Sequence, residues 1–599
     1  MKNLKLAEII IENFRGIGDP VRIKIDEIIV LIGNNNVGKT TILSAYEAFA
    51  TSSWKMDIKD YYQESKSNMP IITGIFENVT PEDKIASKWI FEDKELGYQN
   101  CIKVQYRWPI PDSTREKYSY DSEAAQYTKN GTGGFDTILS SKIPTPLKIS
   151  PMDNPVESEN KILSILTEAI KANTKKDDSK VRTLLSQIEK LAETVKEEIE
   201  EDIQKSTSQI SDELQKIFPE YNHVEIDVKS GKLEPDKLIS SGSFIRIGSK
   251  SIEDDSVFQG TPLKNHGTGL QRTFLWSALK MLAETGRHKV GTKAIDINKS
   301  KILLIEEPEA FLHPSAIREA REALYAIAGL DGWQVMTTTH SPMFIDLTKD
   351  HTTIIRLEKN ERTNRTIKTF STEEAGFTDD DRENLKMMNY CNPYINEFFF
   401  ANNNLLVEGE TEYSVVKSLL NDGRVNSSIH VLNCIGKGNI TTVSKILNHF
   451  NVPYSILHDS DNPTTLRDGK KVRNGAWTTN QAIFEEVNKG RKKGIDIKTF
   501  VSIPNFEGEF LDGKVGKSKP YEACKYFRED NENTTRFINL LKFIDDSTIS
   551  ICDNVYYDVN SVKSRAELYV IEKKLEEDSK WDFEYYYSNS STTVSLTLK

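Results

Sequence analysis

Two sets of residues in this chain are typed and spaced for chemistry, one for handling phosphates and one for gathering carboxylates. Residues 33–41, GNNNVGKTT, fit the pattern G-x-x-x-x-G-K-[ST] at every fixed position. Glycines 33 and 38 let backbone N–H groups turn onto phosphate oxygens at the positive end of the helix that follows. Gly33, Asn34, Asn36, Gly38 and Thr41 would line ATP, Lys39 would sit on its β and γ phosphates, and Thr40 would offer a hydroxyl to Mg²⁺. Downstream, KILLIEEPEAFLHP at 301–314 ends an apolar run in two adjacent acids. Unpaired carboxylates there would cost several kcal/mol, so a purely structural role explains them poorly. Glu306 suits the holding of Mg²⁺, and Glu307 the polarising of an attacking water. The next apolar run ends in TTHSP and offers His340 as a γ-phosphate sensor, while KNHGTGLQR at 264–272 reads as a second phosphate-facing loop.

The second set lies in the last third of the chain. LLVEGETE places Glu408 at the end of a short strand and Glu412 four residues on, at one edge of a helix start. YSILHDSDN then delivers Asp459 and Asp461 as D-x-D. Strand-end acids of this kind gather oxygen ligands for one or two hard divalent cations. Each half has a bland reading, since D-S-D-N is common in exposed turns and VEGE could close an edge strand. Their occurrence in succession favours the cation.

The elements needed to position these residues are visible as hydrophobic pattern. Residues 6–14 and 21–25 read as strands leading into the buried strand 28–32, an α/β ATPase opening, with a helix from Thr41 to about Phe49. Alternation over 70–110 predicts antiparallel strands, and the Ser-, Thr-, Gly- and Pro-rich segment 111–150 predicts loop. Apolar residues at three- and four-residue steps over 156–218 predict two or three amphipathic helices, either a dimerisation surface or packing on the chain's own core. Buried strands at 302–305 and 333–337 put their acids and histidine at strand C-termini, where doubly wound sheets bind ligands. The expected domains are 1–155, 156–235 (helical insertion), 236–370, a linker 371–400, and 401–599.

At 599 residues the chain exceeds one core and predicts two to four domains. No run approaches the 18 or so apolar residues of a membrane span. The start MKNLKLAEII lacks a signal-peptide pattern, so a cytoplasmic chain is expected. Five cysteines without a C-x-x-C pair indicate neither a disulfide framework nor a zinc ribbon. A net charge of −12 argues against coating nucleic acid over the whole surface. Between residues 467 and 519, however, twelve Lys and Arg face seven Asp and Glu, a local excess of five positive charges.

The order of P-loop, helical insertion, G-x-G-x-Q-R, hhhhEE-P-E-x-x-L-H-P and T-x-H-S-P resembles the ABC-type ATPase heads of the SMC, RecF and OLD (overcoming lysogenization defect) group. That resemblance implies that Gly267, Gly269, Gln271 and Arg272 reach nucleotide across a dimer of heads. It departs in having Glu306 where Asp is commoner, and no Q-loop glutamine is placed. The later acids resemble the Toprim domain of topoisomerases, bacterial primases and OLD nucleases. By that likeness Glu408 is the acid of the first motif, Glu412 a metal ligand of the OLD version, and Gly436–Gly438 in IGKGN the intervening turn. Glu507 and Lys519 follow as a late acid and Lys-Pro, with Glu509 as the alternative acid. Lys519 would neutralise charge on a phosphoryl group.

The expected fold is thus α/β, an ABC/SMC-like P-loop head with a helical insertion followed by a Toprim domain. The expected function is an ATP-regulated DNA endonuclease or nickase, in antiphage defence or DNA processing, using Mg²⁺, with Mn²⁺ or Ca²⁺ as other ions for the Toprim site. Expected partners are DNA, further copies in a dimer or tetramer through heads and insertion, and a helicase or retron-type antiviral-defence component, with no membrane. The other reading is an SMC-like nucleotide-sensing scaffold with a degenerate Toprim domain. A topoisomerase would need a separate DNA-gate domain with a nucleophilic tyrosine, and a primase a zinc module.

Overall fold

The computed structural model describes residues 4–33, 37–80, 85–94, 97–129, 142–150, 204–220, 223–227, 244–250, 258–285, 300–347, 349, 352–358, 366–371, 378–391, 395–401, 403–425, 428–462, 464–467, 470–511, 518–546 and 554–572. The chain forms two compact units, Met1–Asp346 with His351–Ile367, and Leu347–Asp350 with Lys368–Lys599.

The first unit carries β1 (Lys5–Glu12), β2 (Val21–Lys24), β3 (Ile28–Gly33), α1 (Lys39–Ala50), β4 (Ile71–Glu77), β5 (Phe91–Asp93), β6 (Tyr98–Arg107), β7 (Glu116–Asp121), β8 (Gln126–Lys129) and β9 (Thr145–Ile149). It continues with β10 (His223–Asp227), β11 (Phe244–Lys250), β12 (Phe258–Pro262), α2 (Thr268–Thr285), β13 (Lys301–Glu306), α3 (Pro314–Ala328), β14 (Trp333–Thr338) and β15 (Thr352–Glu358), and β16 (Thr366–Ser371) runs across the division at 367/368. One sheet runs β16-β15-β3-β14-β13-β9, and a second runs β2-β1-β4-β6-β7-β8 with β5 paired to β6. In the first sheet β15, β3, β14, β13 and β9 are parallel neighbours. Such strands are covered on both faces, which is why Ile28–Ile32 and Ile302–Ile305 read as unbroken apolar runs. Helix α1 packs against both sheets, burying Ile42, Leu43, Tyr46 and Phe49 in a core shared with Ile29, Leu304, Ile72 and Phe76. Each such side chain contributes about 1.5–3 kcal/mol. Gln334 joins the sheets through its side chain, accepting from the Leu6 N–H at 3.0 Å and donating to the Leu6 carbonyl at 2.8 Å and the Asp26 carbonyl at 3.2 Å.

The segment 111–150, expected as loop, holds three strands. Tyr120 and Tyr127, which favour strands, flank Lys103, whose ammonium lies 4.7 and 5.5 Å from their ring centres. Among the described residues β9 pairs only with β13, an edge position that tolerates Pro146. Residues 156–203 of the expected helical insertion lie outside the described residues. Helical residues 204–215 bury Ile210 and Leu214 and line, with Thr273 and Ala320, a cavity of about 10 Å³, so this stretch packs on its own unit.

The second unit carries α4 (Asp379–Cys391), β17 (Asn404–Val407), α5 (Glu410–Asn421), β18 (His430–Asn433), α6 (Lys437–His449), β19 (Tyr454–Asp459), β20 (Thr464–Arg467), β21 (Lys470–Arg473), α7 (Ala476–Lys492) and β22 (Ile497–Ser502). Helices α8 (Phe506–Phe510), α9 (Lys519–Arg528), α10 (Glu532–Asp545) and α11 (Val559–Glu572) complete it. Its sheet is parallel in the order β18-β17-β19-β22. Strand β17 is wholly buried, and Leu405 and Val407 share a core with Val415, Phe506, Phe527 and Phe537. Residues 371–400, read as a linker, include α4, which is tied to α6. Asp381 accepts from the Thr442 hydroxyl at 2.9 Å and pairs with Lys445 at 2.7 Å. No helix among the described residues is long and apolar enough to cross a membrane.

Candidate functional site

The nucleotide motif is assembled at the C-terminal ends of β3, β13 and β14. Gly33 ends β3 with φ 137°, and a Cβ there would lie 2.4 Å from the Leu357 carbonyl oxygen, so only glycine fits. Gly38 precedes α1 with φ 103°. Lys39, the first helical residue, folds back and donates to the Gly33 carbonyl at 2.7 Å. Burial lowers its pKa to about 8, opposed by Glu307 and Glu309. Thr40 is exposed at the helix start, Thr41 is half-buried, and Asn34 and Asn36 lie outside the described residues.

Glu307 follows β13 with φ 44° and donates its N–H to the Thr338 carbonyl at 2.9 Å. Its carboxylate lies 3.9 Å from His340 Nε2. Burial, then the Lys39 charge, lowers the His340 pKa, while Glu307 opposes them. Lys39, Glu307 and His340 therefore stand within one electrostatic neighbourhood. Glu306 is held differently. Its carboxylate pairs with Lys148 at 3.3 Å, and the same ammonium reaches Glu47 at 3.1 Å.

Glu309 was not singled out by sequence. It accepts from the Thr339 hydroxyl at 2.9 Å and the His340 N–H at 2.7 Å, and burial raises its pKa. Both of its oxygens thus shape the histidine loop, and the repeated acids of EEPE were the available signal. Helix α2 begins at Thr268, so Gly269, Gln271 and Arg272, expected in a loop before the helix, fall within its first five residues. Gln271 donates to the His266 carbonyl at 2.7 Å, and Arg272 to Ser150 at 3.3 Å with its guanidinium 5.6 Å from the Phe311 ring centre. These contacts are within the chain. Gly269 is pressed against the Phe311 carbonyl, which a Cβ would approach to 3.0 Å, and Gly267 is open.

In the second unit β17 and β19 are neighbours, so Glu408 and Asp459 emerge side by side. The Asp459 N–H donates to Glu408 Oε2 at 3.2 Å, and Asp459 Oδ1 accepts the Phe506 N–H at 2.8 Å. Burial, then Glu412 and Glu408, raise the Asp459 pKa well above the ordinary carboxylate range. Burial also pushes Glu412 up to about 7, reinforced by Glu408 and Glu507. Glu408 is raised by burial and by Asp461, with Lys437 opposing. Five acids from three chain segments therefore act on one another electrostatically. Lys519 pairs with Glu507 at 3.1 Å, at the edge of this group. Glu509 is turned elsewhere, with one oxygen on Arg536 and the other on the Ile503 N–H at 3.2 Å. Between the two late acids, Glu507 is the one that joins the cluster.

The D-S-D-N loop is buttressed by residues that sequence reasoning missed. The Trp477 indole N–H donates to the Asp461 carbonyl at 2.8 Å, and Asn480 Nδ2 to the Ser460 carbonyl at 2.8 Å. The Ser460 and Asp461 N–H groups donate to the Ser502 and Pro504 carbonyls at 2.8 and 2.7 Å. Lys437 was missed too, because the motif reading keyed on the glycines beside it. Its ammonium pairs with Asp461 and lies 3.7 Å from Glu408. A cluster of one buried and four half-buried acids that repel one another suits a divalent cation, since partly desolvated like charges need a countercharge. Among the described residues no three His, Cys, Asp or Glu side chains are drawn into a ready cage. Glu408 and Asp461 are paired with an ammonium instead.

The excess positive charge of 467–519 is partly internal. Arg491 donates to the Ile497 carbonyl at 2.9 Å and the Tyr557 carbonyl at 2.9 Å, and Lys498 to the Phe543 and Ile544 carbonyls ending α10, both at 3.1 Å. Arg467, Lys470, Lys471 and Arg473 fall on the β20–β21 hairpin, whose base is closed by Asn474 donating to the Asn462 carbonyl at 2.7 Å, next to the D-x-D. Lys514 and Lys517 lie outside the described residues.

Fold and site define an α/β P-loop ATPase head joined to a Toprim-type domain. The family model described as "AAA ATPase domain" matches residues 4–345, and that of the "Overcoming lysogenization defect protein-like, TOPRIM domain" matches residues 399–461. The "Old nuclease" of Escherichia phage P2 is 26% identical over 545 residues, covering 84% of this chain and 88% of that protein. The "OLD nuclease" of Thermus scotoductus is 27% identical over 281 residues, covering 46% and 50%. Among solved structures, an Smc head bound to the C-winged helix domain of ScpA has a TM-score of 0.39 at 13% identity, over 62% of this chain and 98% of its own. The chain belongs to the AAA ATPase domain family, and its residues 399–461 are similar to the TOPRIM domain of overcoming lysogenization defect proteins.

Proposed function

We propose that this chain is an ATP-regulated, divalent-metal-dependent DNA endonuclease or nickase. The observation that carries the reading is the convergence of Glu408, Glu412, Asp459, Asp461 and Glu507 at the C-terminal ends of neighbouring parallel strands. Glu408, Asp459 and Asp461 would hold the cation, Mg²⁺ or Mn²⁺ with Ca²⁺ as a further occupant, and Glu412 and Glu507 would complete its oxygen shell. The bound metal would supply an activated water and stabilise a leaving oxygen. Lys519, 61% exposed beside Glu507, would meet a phosphate. The basic β20–β21 hairpin would hold backbone phosphates and make binding salt dependent.

In the head, Lys39, Thr40 and the Gly33 and Gly38 turns would hold ATP and its Mg²⁺. Glu306 would support the ion, Glu307 the attacking water, and His340 the γ-phosphate. Gly267, Gly269, Gln271 and Arg272 would complete the site across a dimer or tetramer of heads. If ATP closes the heads over the nuclease groove, it would restrain cutting and its depletion would release it, in cytoplasmic antiviral defence or DNA processing with a helicase or retron-type partner.

The test is a gel of supercoiled plasmid with Mg²⁺ or Mn²⁺. The wild-type chain nicks or linearises it, and Glu408→Ala and Asp459→Ala abolish cutting while ATP binding survives. Undiminished cleavage by both variants defeats the proposal. Cutting that is indifferent to ATP from zero to millimolar defeats the regulatory half alone.

A further inference from the structure

The glycine turn before α6 delivers a lysine into the carboxylate cluster. Gly436 has φ 120°, and Lys437 follows as the first residue of the helix. Its side chain is 7% exposed, pairs with Asp461 and lies 3.7 Å from Glu408 Oε2, while those two acids are 34% and 24% exposed. Burying an ammonium is unfavourable unless carboxylates face it, and here two do. Its charge also acts on Asp459, so three of the acids at the strand ends feel it.

We infer that Lys437 is a resident counter-ion of the Toprim cluster, one that neutralises Glu408 and Asp461 in the metal-free chain and competes with a divalent cation for them. The inference rests on the reading of the cluster as a cation site. It is carried by position: ammonium and cation call on the same carboxylates, and two positive centres at this separation repel strongly where water is sparse. Metal entry therefore displaces the ammonium from Asp461, a movement that a four-carbon stem permits. The freed ammonium stays tethered beside the site, where an anionic phosphodiester would next bring negative charge. Competition of this kind weakens cation affinity and ties it to the arrival of an anion.

The test is Mn²⁺ binding to the full chain without nucleotide, followed by the paramagnetic signal of free Mn²⁺ and by calorimetry. Lys437→Met removes the ammonium at nearly constant volume. It is expected to bind Mn²⁺ about tenfold more tightly or to take up one more ion per chain. It is also expected to melt lower than wild type in EDTA and to regain that loss in saturating Mn²⁺. Lys437→Arg, which keeps the charge, stays near wild type. Lys437→Gln provides the same contrast should the Met variant not fold. Mn²⁺ binding by a folded neutral variant that is equal to or weaker than wild type overturns the inference. Asp459→Asn separates the two levels. If it loses Mn²⁺ while the neutral Lys437 variants change nothing, the cation site stands and the counter-ion falls. A wild-type chain that takes up no Mn²⁺ removes both.

Discussion

Glu412 is the acid whose environment makes the largest quantitative claim. It is 5% exposed, and burial with Glu408 and Glu507 nearby raises its pKa from 4.5 to about 7. Because the folded value exceeds the unfolded one, the native chain binds more protons between those limits. Stability in EDTA is therefore full below pH 4.5 as far as this group is concerned, and is lost as pH rises toward 7. At about 1.4 kcal/mol per pH unit, forcing Glu412 to ionise costs about 3 kcal/mol at pH 8. Glu412→Gln keeps an acceptor for the Gly409 N–H and removes the charge. In EDTA at pH 8 it should stabilise the second unit by up to about 3 kcal/mol, roughly 6–12 °C for a unit of this size. At pH 5 the two chains should differ little. Urea unfolding at both pH values, followed by circular dichroism, measures this. In saturating Mn²⁺ the order should reverse, since the wild-type carboxylate then faces a cation. A Glu412→Gln chain that is folded yet no more stable than wild type at pH 8 in EDTA refutes the reasoning.

Glu309→Gln should lower ATP hydrolysis about tenfold, the cost of one lost charge-assisted hydrogen bond to the histidine loop, with nucleotide binding retained; phosphate release and a fluorescent nucleotide measure the two. Trp477→Phe deletes the donor to the Asp461 carbonyl and should cost about 1–2 kcal/mol of stability and several-fold in Mn²⁺ affinity, read by melting and calorimetry. Replacing Arg467, Lys470, Lys471 and Arg473 by Ala should weaken DNA binding and flatten its log–log salt slope by about 3 to 4, as a salt series of filter binding would show.

The sequence disclosed what is written in fixed spacing or in uniform apolar runs. The P-loop, the acids ending β13, β17 and β19, and the parallel strands carrying them have local signatures, since a buried strand must be apolar throughout and a phosphate loop needs its glycines. β7 and β8 escaped because Ser, Thr and Gly dominate their surroundings, while the ring packing around Lys103 that favours a hairpin is tertiary. Lys437 and Trp477 escaped for a related reason: their function depends on which segment the turn and the helix bring them against. Glu507 and Glu509 are chemically alike and two residues apart. What separates them is Arg536, on another helix, which claims one of them. The basic count over 467–519 likewise could not distinguish Lys498, which caps a helix, from lysines on the hairpin.

The amide of Gln334 sits where a peptide group of a neighbouring strand would be, accepting from and donating to the backbone of Leu6. A side chain thereby splices the antiparallel lobe to the strand that feeds the histidine loop. The two layers cannot slide past one another without breaking a buried two-point clasp, so a stroke driven by nucleotide would move them as a single rigid lever. Deamidation to glutamate would turn the clasp's donor into a second acceptor facing a carbonyl, and the lever would slip at its fulcrum.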